Sequence, residues 1–209
     1  MDQSRYDMAM QQELKVTLQA FQSKRLRRDH ADLSAEHQYY EIGEFFFEEM
    51  YGPRDFSARD EQARRLHQFV HMVPGLNVGD VQNVLELIDL TNRLDDTVVQ
   101  IMVRLEAPID FDEALYEQAY RLADNYDERV RQIELVRHSL YNVYRMAKRP
   151  LFGSVLNRTQ GLAQTVGIPD IHRFLRLGYN AIQSVRDIHR FVETVCVREQ
   201  DRLDRIYEV

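Results

Sequence analysis

The chain has 209 residues, 44% of them hydrophobic and 29% charged, with one cysteine and a formal net charge of −7 at neutral pH. The acidic balance argues against a nucleic-acid surface, because phosphate neutralisation needs clustered cations. A lone Cys196 excludes an intrachain disulfide, and no run of about 18 apolar residues offers a membrane span. The first residues lack the basic start and apolar centre of a signal peptide. The expected setting is therefore cytoplasmic and reducing, with neither nucleic acid nor membrane as a partner.

Apolar residues recur at three- and four-residue steps and alternating β-branched runs are missing, so the expected class is all-α. The spacing predicts a first helix over residues 4–28. It closes on Lys24, Arg25, Arg27 and Arg28, where cations favour the helix dipole. A second helix is expected over 34–51 and a third over 58–73. Residues 74–79 read as a loop, with Asn77 capping a fourth helix that ends before Pro108.

A fifth helix, capped by Asp110 with Glu113 three residues on, carries a seam through Leu115, Ala119, Leu122, Tyr126, Val130, Ile133, Leu140, Tyr144 and Ala147. Arg137 is its one charged member. At roughly 37 residues this helix would be about 55 Å long and must lie against others of comparable length. A sixth is expected over 151–165. The seventh carries Ile171, Leu175, Gly178, Ile182, Val185, His189, Val192 and Cys196, with a bend near Gly178. Together these give a single domain over residues 1–209, a helical bundle of about seven helices, two of them long.

The corner after the second helix is distinctive. Gly52 can take the left-handed conformation that closes a helix, and Pro53 cannot continue one. Ser57, with Asp60 three residues on, forms the pattern of a capping box. Arg54 and Arg59 stand close in sequence to Asp55 and Asp60, near enough for charge-assisted pairs across the turn. Glu48, Tyr51, Gly52, Arg54, Asp55, Arg59 and Asp60 are accordingly expected to serve the corner itself.

The same stretch resembles an uncharacterised, mainly proteobacterial helical family with a Phe-Phe-Leu-Glu-Glu-Leu-Tyr-Gly-Pro-Arg-Asp-Phe signature. Here it stands as Phe46-Phe47-Glu48-Glu49-Met50-Tyr51-Gly52-Pro53-Arg54-Asp55-Phe56, with Phe47 in the family's Leu slot. Gly161-Leu162-Ala163, Gly167-Ile168-Pro169, Phe174-Leu175-Arg176-Leu177-Gly178-Tyr179 and Arg198-Glu199 look like that family's tail. The resemblance implies a bacterial cytosolic helical protein and brings no activity with it.

Three groups of residues invite a chemical reading. His37, Glu41, Glu44 and Glu48 share one face of the second expected helix, at the spacing with which bundles hold metals. Tyr39, Phe46 and Met50 lie opposite, so a solvated or partner-facing stripe is expected, and no Glu-x-x-His pair supports a di-iron site. His67 and His71 stand one turn apart, where two imidazoles can share a metal, but Gln68 occupies the place of a zinc protease's Glu. No cofactor is expected; a metal ion is the alternative.

The third group breaks core patterns. Asn92 and Asp95 fall in the fourth helix's seam with Ile88, Val99 and Met102, as Arg137 does in the fifth and His189 in the seventh. An unpaired buried polar group costs about 1–3 kcal/mol. A network joining Asp95, Arg137 and His189 would satisfy that demand; so would drift of the seams towards water. A polar pocket made by Asn92, Asp95, Arg137 and His189 would be the usual place for a ligand in a bundle.

Tyr116, Tyr120 and Tyr141 mark a flank of the fifth helix, expected to be a second packing face ahead of a dimer contact. No complete nucleophilic set or phosphate loop is present. The expected function is a non-enzymatic, self-associating interaction or regulatory protein. The alternative is a metal- or cofactor-binding helical protein of ferritin-like or haem-oxygenase-like type.

Overall fold

The computed structural model describes residues 3–50, 60–62 and 78–209. The corner at 51–59, most of the third expected helix and Asn77 lie outside the described residues. α1 (Gln3–Asp29) is followed by a single turn, α2 (Ala31–Ser34), and by α3 (Tyr40–Phe45), which runs on as a π-helical turn, Phe46–Met50. Then come α4 (Val78–Arg104), α5 (Glu113–Ala123), α6 (Tyr126–Ala147), α7 (Phe152–Arg158), α8 (Gln160–Thr165), α9 (Pro169–Ala181) and α10 (Ile188–Tyr207). Among the described residues there is no strand, and the protein is all-α. No helix among them is long and apolar enough to cross a membrane.

α6 lies between α4 and α10 and packs along both, while α1 lies on α4 and α5 bridges α4 and α10. α9 closes against α3, α7 and α8. The main apolar cluster gathers Leu26, Phe46, Leu94, Leu135, Leu140 and Phe191. A second, at the other end of α1 and α4, gathers Leu14, Leu18, Val98, Met102, Tyr116 and Ile206.

Four expected helices are broken, three of them with a local reason in view. The fifth divides at Asp124, which takes a left-handed φ of 50°. The Tyr207 hydroxyl holds this break together, donating to the Tyr120 carbonyl at 2.7 Å and accepting from the Asn125 amide at 3.3 Å. The cap is also Asp112, accepting from the Leu115 amide at 2.9 Å, rather than Asp110. The sixth divides at Thr159, whose hydroxyl donates back to the Val155 carbonyl at 2.9 Å and so competes with the helix ladder. The seventh divides after Ala181 and restarts at Asp187, whose carboxylate accepts from the His189 amide at 3.0 Å.

Gly178, where a bend was expected, sits inside α9. A side chain there would bring a Cβ within 3.0 Å of the Phe45 ring, so the glycine serves a close approach of α9 to α3. The second expected helix becomes α2, a turn at residues 35–39, and α3.

The break at Asp124 has a consequence for the buried face. Beyond it, α6 buries Arg129, Gln132, Leu135, Val136, Ser139 and Leu140, while Tyr126, Val130 and Ile133 of the expected seam are only half-buried. A left-handed Asp124 and a non-helical Asn125 between α5 and α6 rotate the second segment relative to a continuous helix, which shifts its inward face.

Candidate functional site

Two cavities lie side by side in the bundle. The first, about 110 Å³, is bounded by α1, α3, α4, α6, α7 and α9. Most of its wall is apolar, with Leu87, Leu140, Val143, Phe152, Phe174 and Ile182 contributing. Its polar end comes chiefly from α4: Ile88, Thr91, Asn92 and Asp95 stand at successive steps of three, one and three residues and so share one helix face. Gln22 of α1, Ser139 of α6 and Asp60 complete that end.

The polar groups there are only partly satisfied by one another. Asn92 Nδ2 donates to Asp60 Oδ2 at 3.2 Å, Gln22 Nε2 to Asp95 Oδ1 at 3.1 Å, and Gln132 Nε2 to Thr91 Oγ1 at 2.8 Å. Ser139 is 6% exposed and its Oγ has no partner. Burial pushes the Asp95 carboxyl above its ordinary value, against the opposing pull of Arg129 and the Gln22 hydrogen bond.

The second cavity, about 70 Å³, shares Gln22 and Asp95 with the first and extends between α1, α5, α6 and α10. Five charged side chains, Arg25, Asp95, Arg129, Glu199 and Arg202, stand among the apolar residues of its lining. Arg25 Nη1 donates to Glu199 Oε1 at 2.7 Å, and His30 Nε2 lies 3.1 Å from the same oxygen. Burial raises the Glu199 pKa, but Arg25 and His30 outweigh it and bring that carboxyl down to about 2. Arg202 reaches Glu113 at 2.8 Å and Glu117 at 2.9 Å, and Arg28 joins Glu113 from outside. Among the described residues Arg129 contacts no carboxylate. It donates to the Leu94 carbonyl at 3.3 Å and to Gln132 Oε1 at 3.2 Å, with its guanidinium 4.2 Å from the Tyr120 ring centre. Burial pushes the Cys196 thiol, in the same wall, up to about 11, so it is not primed as a nucleophile.

Of the residues singled out by sequence, Asn92 and Asp95 line the first cavity. Arg137 and His189 do not join them. Arg137 lies against Glu134 at 3.2 Å and Glu193 at 3.5 Å, while His189 is exposed, its ring 6.2 Å from that of Tyr141. Asp95 is instead engaged by Gln22, with Arg129 acting on it through space.

His37 is exposed in the turn before α3 and Glu41 is exposed on α3; Glu44 and Glu48 both hold Arg27, the former through Nη2 at 3.1 Å. A guanidinium thus fills the space between the two carboxylates that a metal would need. Among the described residues no three His, Cys, Asp or Glu side chains gather as a metal site. His67 and His71 lie outside the described residues. Tyr116 and Tyr120 are buried in the chain's own core, and the Tyr141 hydroxyl donates to Glu193 at 2.9 Å.

Gln22, Arg25, Arg129, Gln132, Glu199 and Arg202 are polar residues of the interior that pattern reading passed over. A signal existed in α1: Leu14, Leu18, Gln22, Arg25 and Asp29 continue one seam at steps of four and three. Arg25 had an easier explanation as a C-terminal helix cation, and that explanation hid it.

The fold and site together define an all-helical bundle with an internal, mostly apolar cavity and a polar end. The whole chain, residues 1–209, matches the family model described as a domain of unknown function, DUF8198, and the chain belongs to that family. No curated protein and no solved structure matches it.

Proposed function

We propose that this protein is a non-enzymatic, ligand-binding regulatory protein that holds a small apolar compound in the first cavity. The observation that carries this is the cavity itself: an apolar chamber of about 110 Å³ whose polar end holds a buried hydroxyl without a partner. Interiors are close-packed, and a void of this size forfeits dispersion contacts along its whole lining unless something fills it. The Asn92–Asp95 pair then fixes orientation, as convergent polar groups do in ligand pockets.

A screen of small apolar compounds by protein-observed NMR tests it. Saturable shifts at the Leu87, Leu140 and Val143 methyls are expected, and Val143→Phe, which fills the cavity, removes them. If no compound saturates, or if Val143→Phe binds as well as wild type, the proposal falls.

The same proposal has one domain acting as a homodimer in a bacterial cytoplasm. Tyr40, Leu151 and Val197, apolar side chains at least half exposed, are the surface's contribution to self-association. Light scattering at tens of micromolar decides that part: a strict monomer removes it. The metal-binding alternative turns on analysis of protein purified without a His tag, where stoichiometric iron, manganese or zinc would reverse the assignment.

A further inference from the structure

Resting on that cavity assignment, we infer that the ligand is a compact apolar amine, seated with its nitrogen towards Asp95. The chamber has an unusual polarity. Asp60 and Asp95 are both within its wall, 6% and 3% exposed, yet among its described lining residues there is no Lys, Arg or His. Asp95 sets a carboxyl group in that otherwise largely apolar wall, a partner for an amine nitrogen.

The Gln22 amide nitrogen is spent on Asp95 Oδ1, and the Asn92 amide nitrogen on Asp60. Asp95 Oδ2 accepts no hydrogen bond within the described residues, and Ser139 Oγ, elsewhere in the same wall, is buried and unpartnered. An ammonium brings three donors and no acceptor, which suits this surplus of acceptors. A hydroxyl brings one donor, and a carboxylate brings none.

The cations near Asp95 do not fill this role. Arg129 acts on it only through space: its terminal nitrogens go to Leu94 and Gln132, its guanidinium lies on the Tyr120 face, and its buried Nε has no partner. Lys15 is held by Asp96 at 2.7 Å on the outer side of α4. The carboxyl group, raised by burial, stands ready to exchange its proton with an amine and leave an ion pair in a medium where such pairs are strong.

Size limits the body of the ligand to about one small ring, since a cavity near 150 Å³ holds benzene. The test is a titration of the protein with cyclopentylamine, cyclopentanol and cyclopentanecarboxylate at neutral pH, followed by NMR. Cyclopentylamine is expected to bind about tenfold tighter than the alcohol, the ratio a charge-assisted hydrogen bond gives, and the carboxylate not to saturate. Asp95→Asn should remove the amine's advantage over the alcohol. Equal binding of amine and alcohol by the wild type, or preference for the carboxylate, overturns the amine assignment and leaves the cavity assignment standing. Binding of none of the three, in a protein that takes up other apolar compounds, also overturns it. Failure of every compound overturns both.

Discussion

Glu199 takes Arg25 and His30 on one oxygen, and its carboxyl is held near 2 against an ordinary 4.5. A depressed folded value means that the stabilisation is fully present above the unfolded value of 4.5 and is lost as pH falls from there towards 2. Glu199→Gln should therefore cost about 2–4 kcal/mol at pH 7, leaving Arg25 buried without its main counter-charge. By urea denaturation the deficit should shrink steadily between pH 5 and pH 3. A deficit independent of pH would mean that packing, not charge, is what Glu199 contributes. Asp95 has the opposite sign, since burial favours its protonated form, and Asn there should be tolerated at neutral pH. Asp95 was visible in the sequence because it interrupts an otherwise apolar seam; Arg129 was not, because its burial depends on where α6 begins.

That starting point belongs to the scale of elements. Helical periodicity located every long helix among the described residues, and α1 and α4 were legible almost to their ends. The interruptions were not. A left-handed Asp124 is invisible to a pattern of apolar steps, and the group that secures it, the Tyr207 hydroxyl, lies 82 residues further on from Asn125. Tyr207→Phe should cost about 1–3 kcal/mol, the price of leaving the Asn125 amide and Tyr120 carbonyl without their shared partner. The expected signature is a lower melting temperature with faster amide exchange at residues 120–126 and unchanged exchange in the middle of α4. Uniformly faster exchange would show that the α5–α6 junction is not a separate unit. Two members of the fifth expected helix's seam lie elsewhere: Leu122, expected inside, is 52% exposed, and beyond the break Arg137 rests at the edge of the core beside Glu193.

At the scale of the whole molecule, class and charge were legible, while the site was legible only from one side. α4's contribution, Asn92 and Asp95, follows from a single helix and its own periodicity. The facing groups come from helices whose register depends on breaks and on a distant hydroxyl, so Gln22, Ser139 and Asp60 could be placed only by the folded chain. The two cavities meet at Gln22 and Asp95, and the partition between them includes one amide and one carboxylate joined at 3.1 Å. Gln22→Ala should merge the two chambers, of about 110 and 70 Å³, into one. The variant is expected to take a fused two-ring amine such as 2-aminoindane that the wild type excludes, measured by the same titration; equal exclusion by both proteins would show that Gln22 is no barrier. The upper bulk of a guest would then be set from α1 and its charge preference from α4. With capacity and polarity governed from separate helices, descendants of this fold could widen or narrow the chamber by single replacements on α1 while keeping their appetite for cations.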